Sequence, residues 1–170
     1  MKITIVAFDL WGFNQKIVDH LKNKGVEVTF IDSSKIHFTY KNTSQRIKNF
    51  FSKTFLNKNI KKNYRHNTVL EIIEVLEMQD IILIVNPDHF KSEIVNNLKL
   101  KTRKYIAYNY DSLIRNPLPE NYLELFDTVF SFDLNDIKEN PNLKPLTNFN
   151  YLEKKNNNKS QTKAFIILLH

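Results

Sequence analysis

The chain is expected to fold as an α/β domain of three layers around a mostly parallel sheet. Three observations predict this. Short apolar runs recur at Lys2–Phe8, Val26–Ile31, Ile81–Val85, Tyr105–Tyr110 and Thr128–Phe132, each bounded by turn residues, as strands buried on both faces are. Segments of helical apolar spacing separate most of the runs, and such alternation implies parallel strands joined by crossovers. The runs end beside polar residues, among them Asp9, Asp32, Asp111 and Asp133, at the strand ends where ligands of parallel sheets sit.

In chain order, Lys2–Phe8 is the first strand and Asp9–Gly12 the turn after it. A helix over Phe13–Asn23 places Phe13, Ile17, Val18 and Leu21 on one face. Gly25 ends it as a left-handed cap. Val26–Ile31 is the second strand. This opening has the order of a dinucleotide-binding unit, but Gly12 is its single turn glycine. Without further glycines a backbone cannot approach a pyrophosphate closely, so no cofactor is expected, and Asp32 reads as a cap or loop residue. Ser33–Asn42 is a loop. Asn42, Thr43 or Ser44 caps a helix carrying Ile47, Phe50, Phe51, Phe55, Leu56 and Ile60 on one face, with basic residues on the other. A basic amphipathic helix over 44–62 suits a membrane of anionic lipid; the simpler expectation is that its Phe stripe packs on the sheet and its lysines are solvated.

Asn67 or Thr68 is expected to cap a further helix running to Met78. Ile81–Val85 is the most apolar run and the expected central strand, closed by Asn86–His89, with a helix over Phe90–Leu98 behind it. Tyr105–Tyr110 and Thr128–Phe132 follow as strands, with a Pro-bounded helical segment between them. Asn142–Leu146 reads as a short edge strand, the place where Pro145 is tolerated. Residues 1–150 form one domain on this reading. Residues 151–170 read as a polar linker followed by a strand-like run, Ala164–Leu169, that is either the first strand of a missing or truncated second domain or a strand that tucks into this sheet.

The 170 residues suit one domain, and 42% hydrophobic with 12% aromatic content argues against disorder. Without cysteine there is no thiolate nucleophile, thiolate metal site or disulfide. No run reaches the ~18 apolar residues of a membrane span, and Asp9 interrupts the N-terminus where a signal peptide would still be apolar. A cytoplasmic protein is expected, with peripheral contact at the inner face of the plasma membrane through the basic helix. The net charge of +7 draws anions, yet the lysines are spread along the chain, and only Arg46–Arg65 is a concentrated basic segment. Nucleic acid is not an expected partner. His20 beside Asp19 reads as a surface residue, His37 and His66 lack metal-ligand spacing, and no metal is expected. A phosphoacceptor reading fails because the third strand ends in Asn86-Pro87 rather than aspartate.

Four pieces carry a resemblance: KITIVAFDLWGF, IILIVNPD, YNYDSL, and FDTVFSFDLNDI followed by LKPL. In this order they resemble the N-terminal half of bacterial GT-B-like glycosyltransferases of lipopolysaccharide and capsular polysaccharide biosynthesis. Tyr110 stands where that pattern has a tryptophan. The resemblance implies a Rossmann-like, acceptor-side domain, with the nucleotide-sugar donor bound mainly by a second domain that the 170 residues lack. It implies sugar transfer to a surface polysaccharide or a lipid-linked glycan. The isolated chain is then expected to be inactive. A non-catalytic Rossmann-like binding domain, a remnant or the partner of a separate donor-binding chain, is the alternative.

Sugar transfer needs a base at the acceptor hydroxyl and groups that stabilise the leaving diphosphate. Asp111 is the candidate base or hydroxyl-orienting acceptor, with Ser112 beside it; Asp-Ser also caps turns. Asp9, Trp11, Phe13, His89 and Asp133 are candidate substrate-binding residues. The loop with Trp11 and Phe13 either stacks on a sugar ring or plugs the sheet, and Asp133 also reads as the cap of the turn holding Asp136.

Overall fold

A computed structural model describes residues 1–146 except Asn57 and Glu120; the expected linker and terminal strand at 151–170 lie outside them. The strands are β1 (Lys2–Ala7), β2 (Glu27–Asp32), β3 (Gln79–Val85), β4 (Thr102–Asn109), β5 (Thr128–Ser131) and β6 (Leu143–Pro145). They form one sheet in the order β2-β1-β3-β4-β5-β6, with every neighbouring pair parallel. The helices are α1 (Phe13–Asn23), α2 (Thr43–Leu56), α3 (Ile60–Glu74), α4 (Ser92–Lys99), α5 (Tyr122–Leu125) and α6 (Leu134–Glu139). The Rossmann-like α/β reading holds, β3 is central, and Pro145 lies on an edge strand.

Each strand of the middle of the sheet is apolar on both faces because both are covered. On one face Val6, Ile82, Ile84, Tyr105, Ala107 and Val129 meet Val69 and Ile73 of α3 and Ile94, Val95 and Leu98 of α4. On the other, Ile3, Ile5, Leu83, Val85 and Ile106 share a core with Ile17, Val18 and Leu21 of α1. Tyr105 is fully buried, and its hydroxyl donates to Val95 O at 3.2 Å, which satisfies a polar group that would otherwise be costly inside. Helix α1 ends as its sequence dictates. Gly25 takes φ 78°, its N–H donates to Lys22 O, and Val26 N–H donates to Leu21 O, the paired bonds of a Schellman end.

The basic segment departs from expectation in two ways. It is two helices, because Asn59 is extended and its side chain accepts from Lys61 and Lys62 N–H. Asparagine favours such capping conformations over helix interiors. Asn67 and Thr68 are therefore interior to α3, and the expected cap there is corrected. The Phe stripe of α2 does not pack on the sheet either. Ile47, Phe50, Phe51, Phe55 and Leu56 are exposed, and no residue of α2 is buried. The half-buried side of α2 is the polar one, Gln45, Asn49 and Ser52. Asn49 holds it there: Nδ2 donates to the Tyr40 hydroxyl at 2.7 Å and Oδ1 accepts from Ile60 N–H at 2.9 Å. The segment between β4 and β5 is mostly loop, with only the single turn α5.

Candidate functional site

After β1 the chain crosses to β2 on one side and then to β3 on the other. The crevice between the carboxyl ends of β1 and β3 is thus the point where strand order reverses, where ligands of open parallel sheets bind. Three loops meet beside it, Phe8–Gly12 after β1, Asn86–Phe90 after β3 and Tyr110–Ser112 after β4.

Asn86 joins the last two. It is 1% exposed and has φ 48°, a left-handed conformation that asparagine tolerates better than most residues. Its backbone N–H donates to Tyr108 O at 2.9 Å. Its side-chain Oδ1 accepts from Tyr110 N–H at 3.0 Å, and Nδ2 donates to Asp111 Oδ2 at 3.0 Å. Asp111 is therefore aimed by Asn86 and does not cap the following turn. Ser112 does that instead, its Oγ accepting from Ile114 N–H. The second oxygen of Asp111 has no donor among the described residues.

Burial raises the pKa of the Tyr110 hydroxyl, and the negative charges of Asp111, Asp9 and Asp88 raise it further. Asp88 is itself held above the usual aspartate range, first by burial and then by Asp111, with His89 opposing. His89 Nε2 stands 3.7 Å from Asp88 Oδ2, and its ring meets Phe8 edge-on with centroids 5.6 Å apart. Asp88 is not among the candidates expected from the sequence; its position between Pro87 and His89 past an apolar strand is the signal that marks it.

The remaining candidates fall into distinct roles. Asp9 is buried, and its carboxylate accepts from Phe13 and Gln15 N–H at 2.9 and 3.1 Å, fixing the start of α1. Its own N–H donates to Asp32, whose side chain also caps the turn at Ser34. Trp11 is 79% exposed and Leu10 and Phe13 are exposed as well, so this loop is no plug over the sheet. Asp133 caps α6 through Asn135 N–H at 2.8 Å, and with Asp111, Ser112 and Phe132 it lines an open hollow. A groove between α3 and α4, lined by Leu70, Glu71 and Asn97, lies in the helical layer away from these strand ends. Among the described residues no group of three His, Asp or Glu side chains is placed to hold a metal. No family model matches the chain, and no curated protein matches it.

The raised pKa of Asp88 has a testable consequence. The folded chain keeps a proton that the unfolded chain releases near 3.8. The stability this contributes is complete below that value and is lost as pH rises through the folded pKa. Asp88→Asn is thus expected to melt higher than the wild type at neutral pH, with the gap closing toward pH 4. Thermal melts across that range check it, and a gap independent of pH contradicts it.

Proposed function

We propose that this domain binds the acceptor in sugar transfer: a glycan or lipid-linked glycan destined for a surface polysaccharide or lipopolysaccharide. A nucleotide-sugar donor is held by a second domain or a separate chain. The observation that carries this reading is Asp111 past the end of β4, held by Asn86 Nδ2 at 3.0 Å beside the β1/β3 crevice. A pyranose offers several hydroxyls, and a carboxylate with a free oxygen takes one as acceptor or as general base. Among the described residues Asp111 has that free oxygen, and the side chain of Asn86 fixes its orientation. The exposed ring of Trp11 stands in the neighbouring loop and provides an apolar wall, the usual complement of a few placed polar groups. The resemblance of the segments holding Trp11, Asp88, Asp111 and Asp133 to GT-B-like glycosyltransferases supports the same reading.

Trp11 is the only tryptophan, so intrinsic fluorescence tests the proposal. A panel of hexoses and oligosaccharides should contain members that shift its emission to shorter wavelength in a saturable manner. Asp111→Asn should weaken that binding about tenfold or more, the loss of a charge-assisted hydrogen bond. No response from any saccharide, or equal affinity in the variant, contradicts the acceptor reading. Binding with no transfer when a donor-binding domain is supplied favours the non-catalytic alternative.

The outward face of α2 favours peripheral contact with an anionic membrane. Phe50, Phe51 and Phe55 point away from the domain, and Arg46, Lys48 and Lys53 are exposed on the same helix. At 100° per residue Arg46 and Lys53 flank one side of the apolar arc and Lys48 the other, the arrangement in which cations reach headgroups while aromatic rings enter the acyl boundary. A lipid-linked acceptor would present its glycan at such a surface.

A further inference from the structure

We infer that the cavity at the β1/β3 crevice is an anion site that binds the phosphate of a phosphate monoester or diphosphate ligand. The cavity encloses about 280 Å³. Small-molecule sites run to roughly 300–1,000 Å³, so this one suits a phosphate with part of a sugar rather than a whole nucleotide.

Its walls bring cations together from separate elements, Lys62 and Arg65 on α3 and Lys91 before α4, with the His89 imidazole after β3 beside them. Among the described residues Lys62, Arg65 and Lys91 have no carboxylate partner, as is true of most surface cations of this chain; Lys2, Lys35, Lys99 and Arg103 have one. The only side-chain hydrogen bond of Lys91 is a long one, 3.5 Å to Asn63 Oδ1. The Arg65 guanidinium lies 4.7 Å from the centre of the Phe8 ring, a contact that orients it without using its donors. Its Nε is buried and has no acceptor. His66, 8% exposed, also lines the cavity. Its Nε2 meets Glu93 Oε2 at 2.9 Å, while its buried Nδ1 has no partner. Buried polar atoms are nearly always satisfied; six on the described residues are not, and two of these, Arg65 Nε and His66 Nδ1, belong to residues that line this cavity. Both atoms are closed to solvent, so a phosphate oxygen would accept from Arg65 Nε–H or meet His66 Nδ1 only after a side-chain rotation. Asp88 is the carboxylate on the wall. Burial raises its pKa, and where it is ionised its charge opposes an anion, so the cations must outweigh it.

Naming the ligand as a phosphorylated acceptor rests on the reading proposed above; the anion site does not. The test is titration of the full chain, followed by amide NMR, with inorganic phosphate, pyrophosphate, glucose 1-phosphate, and dihexanoyl phosphatidic acid below its micelle concentration. Saturable shifts at Phe8, Arg65, His66 and His89–Lys91 are expected, with chloride at equal ionic strength producing none. Arg65→Ala should weaken binding roughly tenfold. The double variant Lys62→Gln, Lys91→Gln alters two exposed residues and should weaken it similarly with an unchanged melting temperature. Tighter binding of glucose 1-phosphate supports the site with a soluble monoester as its ligand; tighter binding of the lipid supports it with a headgroup. Shifts scattered over surface lysines, no saturation with any of the four, or undiminished affinity in the double variant overturns it. Phosphate binding that survives Asp111→Asn, alongside a lost saccharide response, separates the two readings.

Discussion

Replacing Asp136 with alanine is expected to lower the melting temperature by roughly 10 °C. Asp136 is 3% exposed and joins three pieces of chain. Its Oδ2 accepts from Leu113 N–H at 2.8 Å and from Ser131 Oγ at 3.1 Å, and its Oδ1 accepts from Ser112 Oγ at 3.2 Å. Alanine leaves these donors without their acceptor, and each orphaned buried donor costs about 1–3 kcal/mol. The serine hydroxyls can rotate to other acceptors, so ~3–4 kcal/mol is the expected total. A chain of this size loses ~2–4 °C per kcal/mol. Asp136→Asn keeps an acceptor oxygen and should fall between the two. A change within ~2 °C for the alanine variant would mean that the loop after β4 is held by something else. Because Leu113 and Ser112 adjoin Asp111, the alanine variant should also disturb the candidate site.

On vesicles rich in phosphatidylglycerol, the triple variant Phe50→Ser, Phe51→Ser, Phe55→Ser should bind on the order of 100-fold more weakly than the wild type. Burying a phenylalanine fully contributes about 1.5–3 kcal/mol. Partial immersion at an interface contributes less, so ~1 kcal/mol for each ring gives ~3 kcal/mol together, and 1.4 kcal/mol is a factor of ten. The melting temperature should hardly move, since the rings contact no core and exposed substitutions rarely exceed ~0.5 kcal/mol. Wild-type binding should also weaken at high salt, as screening shortens the reach of Arg46, Lys48 and Lys53. Vesicle binding that is absent in the wild type, or unchanged in the variant, contradicts the membrane face. Among the described residues no helix is long and apolar enough to cross a membrane.

Much of the fold was legible because its signals are local. Ile81–Val85 is apolar throughout because β3 is covered on both faces, and Gly25 and Asn42 end and begin helices through bonds to residues within a few positions. The break between α2 and α3 was obscured because the apolar spacing runs on through Ile60, while the cap at Asn59 is a choice of backbone conformation that periodicity does not register. The orientation of α2 was not legible for a different reason. Amphipathicity defines two faces but not which one meets the protein, and here Asn49 decides through Tyr40 and Ile60, nine and eleven positions away. Asp111 was visible as a polar residue at a strand end. Its partner Asn86 lies 25 positions earlier and meets it only because β3 and β4 are neighbours. Lys62 and Arg65 were visible as charge in a basic segment, but their convergence with His89 depends on α3 packing over β1 and β3.

The most direct test of the β1/β3 crevice as the ligand site is an amide shift map of the full chain saturated with glucose 1-phosphate. Shifts confined to Phe8–Phe13, Arg65–His66, Asn86–Lys91 and Tyr108–Ser112 are predicted. No shifts at saturating concentration, or shifts centred on Leu70, Glu71 and Asn97 in the groove between α3 and α4, would contradict it.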